Sequence, residues 1–143
     1  MRYALGLAAR AEEQDEVPVG AVIIQHDTVI GEGWNQPIST NDPTAHAEII
    51  AMRAAAQQLG NYRLTGTTLY VTLEPCLMCA GAIIHARIGR LVFGAYDRKR
   101  GAVNSTTHAF ESQGLNHQLE VCGGVLEQDC AQALQRFFAA RRS

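Results

Sequence analysis

The sequence lacks any apolar run that could cross a membrane. None of its stretches approaches the roughly 20 consecutive apolar residues that a spanning helix needs. The first segment, MRYALGLAARAEEQDEVP, has no long apolar core and becomes acidic, so it is a poor match to a secretory signal. We therefore expect a cytoplasmic protein that has no membrane partner.

A strong excess of one charge is also absent. The formal net charge is −2, which by itself does not predict a nucleic-acid-binding protein. The charge is unevenly distributed, however, because residues 1–50 contain 2 basic and 8 acidic side chains, whereas residues 51–143 contain 10 basic and 6 acidic ones. This distribution permits a local basic surface in the second part of the chain.

Low-complexity segments and internal repeats are missing, and the chain has four cysteines. Four cysteines in a protein that is not secreted are not expected to form disulfides, and Cys122 and Cys130 have no metal-ligand spacing, so we expect them to be free thiols. Hydrophobic residues make up 47% and charged residues 18% of the chain, which is ordinary for a globular protein and argues against disorder. The length of 143 residues predicts one domain over residues 1–143.

Helical and strand patterns alternate along the chain. Apolar periodicity predicts helices that end near Asp15 and that cover about 44–60, 76–87 and 126–142. Apolar or β-branched runs predict strands at 17–25, 28–35, 67–73 and 90–95, with an edge strand in 119–125. His26-Asp27 fits a hairpin turn, and 36–43 and the polar stretch before Gln118 are predicted to be irregular. These elements predict an α/β fold in which helices cover both faces of a mixed sheet.

Two short motifs carry the chemistry. Cys76 and Cys79 are three residues apart, so both thiols lie on one face of the first turn of a helix. Pro75 suits such a helix start, and thiolates are favoured there by the positive end of the helix dipole. His46, at the start of another predicted helix, would complete a Cys2His ligand set.

Three protein ligands on zinc are typical of a catalytic site. They leave the fourth tetrahedral position open to water, and zinc lowers the pKa of such a water towards roughly 7. The reaction then needs a proton carrier, and the carboxylate of Glu48 has the right chemistry. Two residues separated by two point apart in a helix interior, but at the first turn His46 and Glu48 can converge on one ion.

The two motifs are specific only when they occur together. The CxxC pair alone is shared by redox and structural zinc sites, and HxE alone means little. HAE followed about thirty residues later by PCxxC is the known signature of zinc nucleobase deaminases. A structural zinc site and a coincidence of spacing are the alternatives that this pattern leaves open.

The chain resembles the cytidine deaminase superfamily, and within it the bacterial tRNA-specific adenosine deaminases. The resemblance runs through EVPVGAVII, GEGWN, DPTAHAEI, NYRL, TLYVTLEPCLMCAGAIIHARIGRLVFGA, LNH and the final FF. The stretch GAVNSTTHAF departs from the GSL-like sequence common in the family. The resemblance implies a three-layer α/β/α fold with a central mixed five-stranded sheet. It also implies one zinc per subunit and a homodimer whose RNA site uses both subunits.

The resemblance further implies roles for single residues. His46, Cys76 and Cys79 would hold zinc, and Glu48 would carry the proton. Side chains that would contact the flipped nucleoside or the anticodon loop are Asn35, Asp97, Lys99, Asn116 and a C-terminal phenylalanine, Phe137 or Phe138. From the residues alone, Asn35 is equally a turn residue, 98–100 is more typical of a solvated loop, and Arg141-Arg142 already has a sufficient role in complementing a helix dipole.

These observations predict a hydrolytic deaminase that converts adenosine to inosine at the wobble position of a tRNA anticodon stem-loop. Within the same chemistry, the alternative substrate is a free base or nucleoside such as cytosine or guanine. From a different class, the chain could be a zinc-stabilised RNA-binding subunit without activity. Glu48 argues against that last possibility, because a structural zinc site needs no proton carrier.

Overall fold

A five-stranded mixed sheet forms the centre of the protein. The structure, a computed structural model, describes residues 1–111 and 119–142. The strands are β1 (Gly20–Gln25), β2 (Thr28–Trp34), β3 (Thr68–Leu73), β4 (Arg90–Ala95) and β5 (Glu120–Cys122). The helices are α1 (Arg2–Glu13), α2 (Pro37–Thr40), α3 (Ala47–Leu59), α4 (Leu77–Ala86) and α5 (Glu127–Arg142). The strand order is β2-β1-β3-β4-β5.

The sheet combines an antiparallel hairpin with a parallel half. β1 pairs antiparallel with β2 and β3, whereas β4 pairs parallel with β3 and β5. The predicted turn at His26 and Asp27 is present, with φ of 51° and 60° at the two residues. Two positive φ angles are what a two-residue hairpin turn requires to match the twist of its strands.

Helices cover both faces of the sheet, as predicted. α3 and α4 cover the face of Ala21, Ile23, Val71 and Phe93, which belong to the main hydrophobic core with Ala51 and Ile83. α1 covers the opposite face, where Ala4 and Leu7 cluster with Val22. α5 joins α1 on that face, because a Cβ on Gly94 would lie 2.3 Å from the Cys130 Sγ. The fold is the three-layer α/β/α arrangement that the resemblance implies.

Close packing of α3 on β2 fixes where the site residues begin. A Cβ on Gly33 would lie 2.3 Å from the carbonyl oxygen of Ala47, so only glycine allows the helix to approach this strand. α3 therefore starts directly against β2, three residues later than the start at Thr44 that the sequence predicts. The side chain and backbone of Thr44 instead donate to Asp42 Oδ1 in a turn.

One predicted loop contains a short helix. Residues 36–43 are not irregular throughout, because Pro37–Thr40 form the single turn α2, which ends at Asn41 in the left-handed conformation. The carboxylate of Glu16, 1% exposed, accepts hydrogen bonds from the Ser39 N–H, the Ser39 hydroxyl and the Ile38 N–H, at 2.7, 2.5 and 3.3 Å. This distant acid stabilises a turn that its local sequence does not predict.

Stability should depend on pH through Glu16. Burial opposes its ionisation, but the hydrogen bonds from Ser39 and Ile38 outweigh burial and lower its pKa. A lowered pKa in the folded state stabilises the fold above the unfolded-state pKa of about 4.3, and this contribution disappears as the pH falls through the folded-state pKa. We expect Glu16→Gln to lose about 1.5–3 kcal/mol of unfolding free energy at pH 7.

Denaturant unfolding at a series of pH values checks this expectation. The difference between wild type and Glu16→Gln should narrow as the pH falls below about 4.5. A difference that stays constant over this range would show that the ionised carboxylate is not what holds the turn.

The remaining helices and strands are of the predicted type, and their ends differ from the predicted ones by a few residues. The predicted strand 90–95 is found at Arg90–Ala95, and the edge strand is only the three residues Glu120–Cys122. Residues 102–105 form turns, and the part of the predicted irregular stretch at 112–118 lies outside the described residues. No helix in the described part of the chain combines the length and hydropathy of a membrane span.

Candidate metal centre and its cavity

Two helix starts bring three potential ligands together. His46 is the N-cap residue of α3, and Cys76 is the N-cap residue of α4, with Cys79 in the first turn of the same helix. The Sγ atoms of Cys76 and Cys79 lie 3.6 and 3.5 Å from the His46 Nδ1. All three ligand atoms lie within 4.8 Å of one another.

These separations fit a tetrahedral zinc ion. With Zn–S bonds of about 2.3 Å and a Zn–N bond of about 2.1 Å, tetrahedral angles place a sulfur and a nitrogen ligand roughly 3.6 Å apart. The donor set, one imidazole and two thiols, is also one that zinc prefers. Among the described residues this is the one group of three such ligands that could hold a metal. The three predicted ligands therefore meet at one point.

Electrostatics prepares the two sulfurs for a cation. A hydrogen bond from Cys79 is the main cause that lowers the pKa of Cys76 to about 3. Its interaction with Cys76, together with burial, raises the pKa of Cys79. Zinc binds cysteine as the thiolate, so a cation held between these two sulfurs would displace their protons.

Glu48 lies beside this centre in the first turn of α3. The residue is buried, with only 4% of its surface exposed. Burial is the main cause that raises the pKa of Glu48 to about 7. A carboxyl group with this pKa can both accept and return a proton near neutral pH.

Asn35 supports the start of α3. Its Oδ1 accepts a hydrogen bond from the Ala47 N–H at 3.0 Å, which supplies an acceptor to one of the unpaired N–H groups at the helix start. The half-buried side chain also lines the cavity beside His46. Asn35 therefore has a structural role at the start of α3 and not the turn role that its local sequence suggests, and it lines the same cavity as Glu48.

A cavity of about 870 Å³ opens over the metal centre. Its inner wall includes Asn35, His46, Glu48 and Cys76. Its outer wall consists of residues 96–100 and the end of α5 and includes five basic side chains, Arg98, Lys99, Arg100, Arg141 and Arg142. The carboxylate in that outer wall is Asp97, whose Oδ1 accepts from the backbone N–H groups of Lys99 and Arg100 at 3.2 and 3.1 Å.

The residues predicted to contact RNA differ in where they lie in the structure. Asp97, Lys99 and Phe138 line the cavity together with the metal centre. Phe137 is 4% exposed, and the Arg141 guanidinium carbon lies 3.5 Å from the centre of its ring. Asn116 lies outside the described residues.

Three residues of this region were not predicted from the sequence. Glu16 and Glu74 are buried carboxylates: Glu16 accepts hydrogen bonds from α2, which contains the lining residue Pro37, and Glu74 accepts one from the lining residue Asp97. Arg141, which we expected only to complement the dipole of α5, also donates to Asp15 Oδ1 at 3.0 Å. For Glu16 and Glu74, the sequence did offer a signal. Each acid stands directly beside a predicted buried strand, where an unpaired charge would be costly and a hydrogen-bonded one is therefore expected.

Comparison with known proteins identifies the family. Residues 1–95 match the cytidine and deoxycytidylate deaminase zinc-binding region. A tRNA-specific adenosine deaminase of Haemophilus influenzae is 59% identical over 143 residues, covering 99% of this chain and 83% of that protein.

Solved structures are similar as well. A structure from work on A-to-I editing by tRNA:A34 deaminases at the wobble position of transfer RNA has a TM-score of 0.89 and 49% identity, and the match covers 94% of this chain and 97% of that one. A guanine deaminase from Nitrosomonas europaea has a TM-score of 0.81 and 25% identity, with coverage of 96% and 82%. The resemblance seen in the motifs is confirmed: the chain belongs to the tRNA-specific adenosine deaminases, a family that carries the cytidine and deoxycytidylate deaminase zinc-binding region.

Proposed function

We propose that the protein catalyses the hydrolytic deamination of adenosine to inosine at the wobble position of a tRNA anticodon loop. The observation that carries this proposal is the meeting of His46, Cys76 and Cys79 beside a buried carboxylate, at the inner end of a cavity whose outer wall is basic. The 59% identity to a tRNA-specific adenosine deaminase supports the choice of substrate.

The chemistry follows from the residues at the inner wall. A zinc ion held by His46, Cys76 and Cys79 would supply an activated water molecule, because zinc lowers the pKa of such a water to roughly 7. Glu48 would accept a proton from the attacking water and deliver it to N1 of the purine ring as the oxygen adds to C6. Glu48 would then carry the remaining hydroxyl proton to the amino nitrogen, which leaves as ammonia, so that adenosine and water become inosine and ammonia.

The outer wall suits a single-stranded RNA loop. Basic side chains at residues 98–100 and 141–142 attract the phosphate backbone. A base must leave its stack to reach the inner wall, and this costs least in a loop, where Asn35 can bond the flipped nucleoside. We assign contacts with neighbouring nucleotides to Asp97, Lys99 and the exposed Phe138. The resemblance adds Asn116, and Phe137 supports α5 from within.

We further place the protein in the cytoplasm as a single deaminase domain over residues 1–143, a homodimer with one zinc per subunit. The family resemblance supports this assembly. Leu77 and Met78 also expose apolar side chains, 65% and 38% accessible, directly beside the metal ligands. An apolar surface at this place is suitable for a subunit contact close to the site.

An anticodon stem-loop with adenosine at the wobble position tests the substrate. We expect the zinc-loaded protein to convert that adenosine to inosine, and to leave a matched stem-loop with its adenosine in the paired stem unchanged. The similarity to a guanine deaminase makes free guanine, cytosine and adenosine the necessary comparison. Nucleoside analysis by mass spectrometry measures all substrates. Turnover of a free base without any inosine in the stem-loop would contradict the proposal.

A further inference from the structure

Glu74 is a buried carboxylate between the metal ligands and the basic outer wall. It follows the last residue of β3, precedes Pro75 and Cys76, and is 2% exposed. Its Oε1 accepts from the Asp97 N–H at 3.1 Å and the Ser105 hydroxyl at 2.5 Å. Its Oε2 accepts from the backbone N–H groups of Val103, Asn104 and Ser105, at 3.1, 2.8 and 3.0 Å.

Within the described part of the chain, the five partners of this carboxylate are all donors from residues 97–105, which we call the 97–105 loop. An ionised carboxylate has only acceptors and can satisfy them all. A glutamine of the same shape would turn an NH2 group towards at least one of these donors. The site therefore requires a carboxylate and not merely a polar side chain of this length.

The loop wraps tightly around Glu74. A Cβ on Gly101 would lie 2.3 Å from the Glu74 carboxyl carbon and 2.5 Å from the Asp97 carbonyl oxygen, so the loop can close only over a glycine. The Ala102 N–H also donates to the Pro75 carbonyl at 2.9 Å. The loop is thus joined to the segment that leads into Cys76.

The same loop carries residues of the basic outer wall. Glu74 fixes the Asp97 backbone, and the Asp97 side chain in turn accepts from the N–H groups of Lys99 and Arg100. Residues 97–100 line the cavity together with His46 and Glu48. The carboxylate therefore joins the segment that leads into the metal ligands to the basic wall of the cavity.

We propose that Glu74 is a positioning residue for RNA binding: it holds the 97–105 loop against the metal-ligand segment, so that Asp97 and Lys99 are presented to the anticodon loop. The inference rests on the proposed function only for the identity of the ligand. The holding of the loop is a property of the protein alone and can be measured without RNA.

Glu74→Gln is the direct test, with Thr67→Val as the matched control. Thr67 flanks the opposite end of β3, is 2% exposed, and its hydroxyl donates to the Leu64 carbonyl at 2.6 Å, so its replacement also removes a buried hydrogen bond. We expect Glu74→Gln to raise the KM for the stem-loop about tenfold or more, with a much smaller change in kcat and unchanged zinc content. Thr67→Val should leave KM unchanged.

Two further measurements keep the outcomes distinct. Hydrogen exchange at the amides of Val103, Asn104 and Ser105 should accelerate in Glu74→Gln but not in Thr67→Val. If Glu74→Gln does not fold, Gly101→Ala should produce the same rise in KM and in exchange, because the added methyl group forces the loop away from Glu74.

A wild-type protein that makes no inosine contradicts the proposed function, and hydrogen exchange then decides the role of Glu74. Unchanged exchange and an unchanged KM in a folded variant would overturn that role.

Discussion

Replacing Glu48 with glutamine should lower kcat by at least about a hundredfold while the protein keeps its fold and its zinc. The amide preserves the size of the buried side chain but cannot take a proton from water and return it to the purine ring. Because Glu48 lies beside the ligand trio but is not part of it, metal affinity should change little. Assays on the wobble stem-loop measure the rate of turnover, and zinc analysis of the purified variant measures the metal that it retains.

Glu13→Gln is the control for this variant. Glu13 is an exposed residue at the end of α1, so the same chemical change there should not affect turnover. Glu48→Ala should behave like Glu48→Gln. Wild-type kcat in Glu48→Gln would remove the assigned proton transfer from this residue, whatever the zinc content.

Replacing Cys79 with alanine should remove the zinc and, with it, the activity. This change deletes one of three ligands, so we expect zinc affinity to fall by at least roughly a hundredfold. A metal that binds only the folded state also stabilises it, and thermal unfolding of Cys79→Ala should therefore no longer respond to added zinc.

Cys130→Ala separates metal loss from core damage. Cys79 and Cys130 are both buried, at 0% and 1% exposure, but the Cys130 sulfur packs near Gly94 on the opposite face of the sheet. Both variants should lose about 1 kcal/mol of packing energy, and only Cys79→Ala should lose zinc. Equal zinc content in the two purified variants would show that Cys79 is not a ligand.

The sequence predicts this centre well because its geometry is local. His46 and Cys76 each begin a helix, and Cys79 lies one turn further, so short-range spacing already directs each side chain. The meeting of the two helix starts depends on the sheet, in which β1 joins the two halves by pairing with β2 and β3. The alternation of helical and strand patterns predicts that sheet.

The cavity walls are less predictable because distant contacts form them. α2 depends on Glu16, which lies 22 and 23 residues from its partners Ile38 and Ser39. The 97–105 loop depends on Glu74, which is 23 to 31 residues away from its donors. A local pattern likewise cannot choose between adjacent phenylalanines, and only the packing of α5 buries Phe137 and exposes Phe138.

Mapping inosine in total tRNA tests the central claim most directly. Zinc-loaded wild type should produce inosine at the first anticodon position of tRNAs that have adenosine there, and at no other adenosine. Glu48→Gln, loaded with the same amount of zinc, should produce almost none. A folded, zinc-containing wild-type protein that leaves every wobble adenosine unchanged would contradict the account.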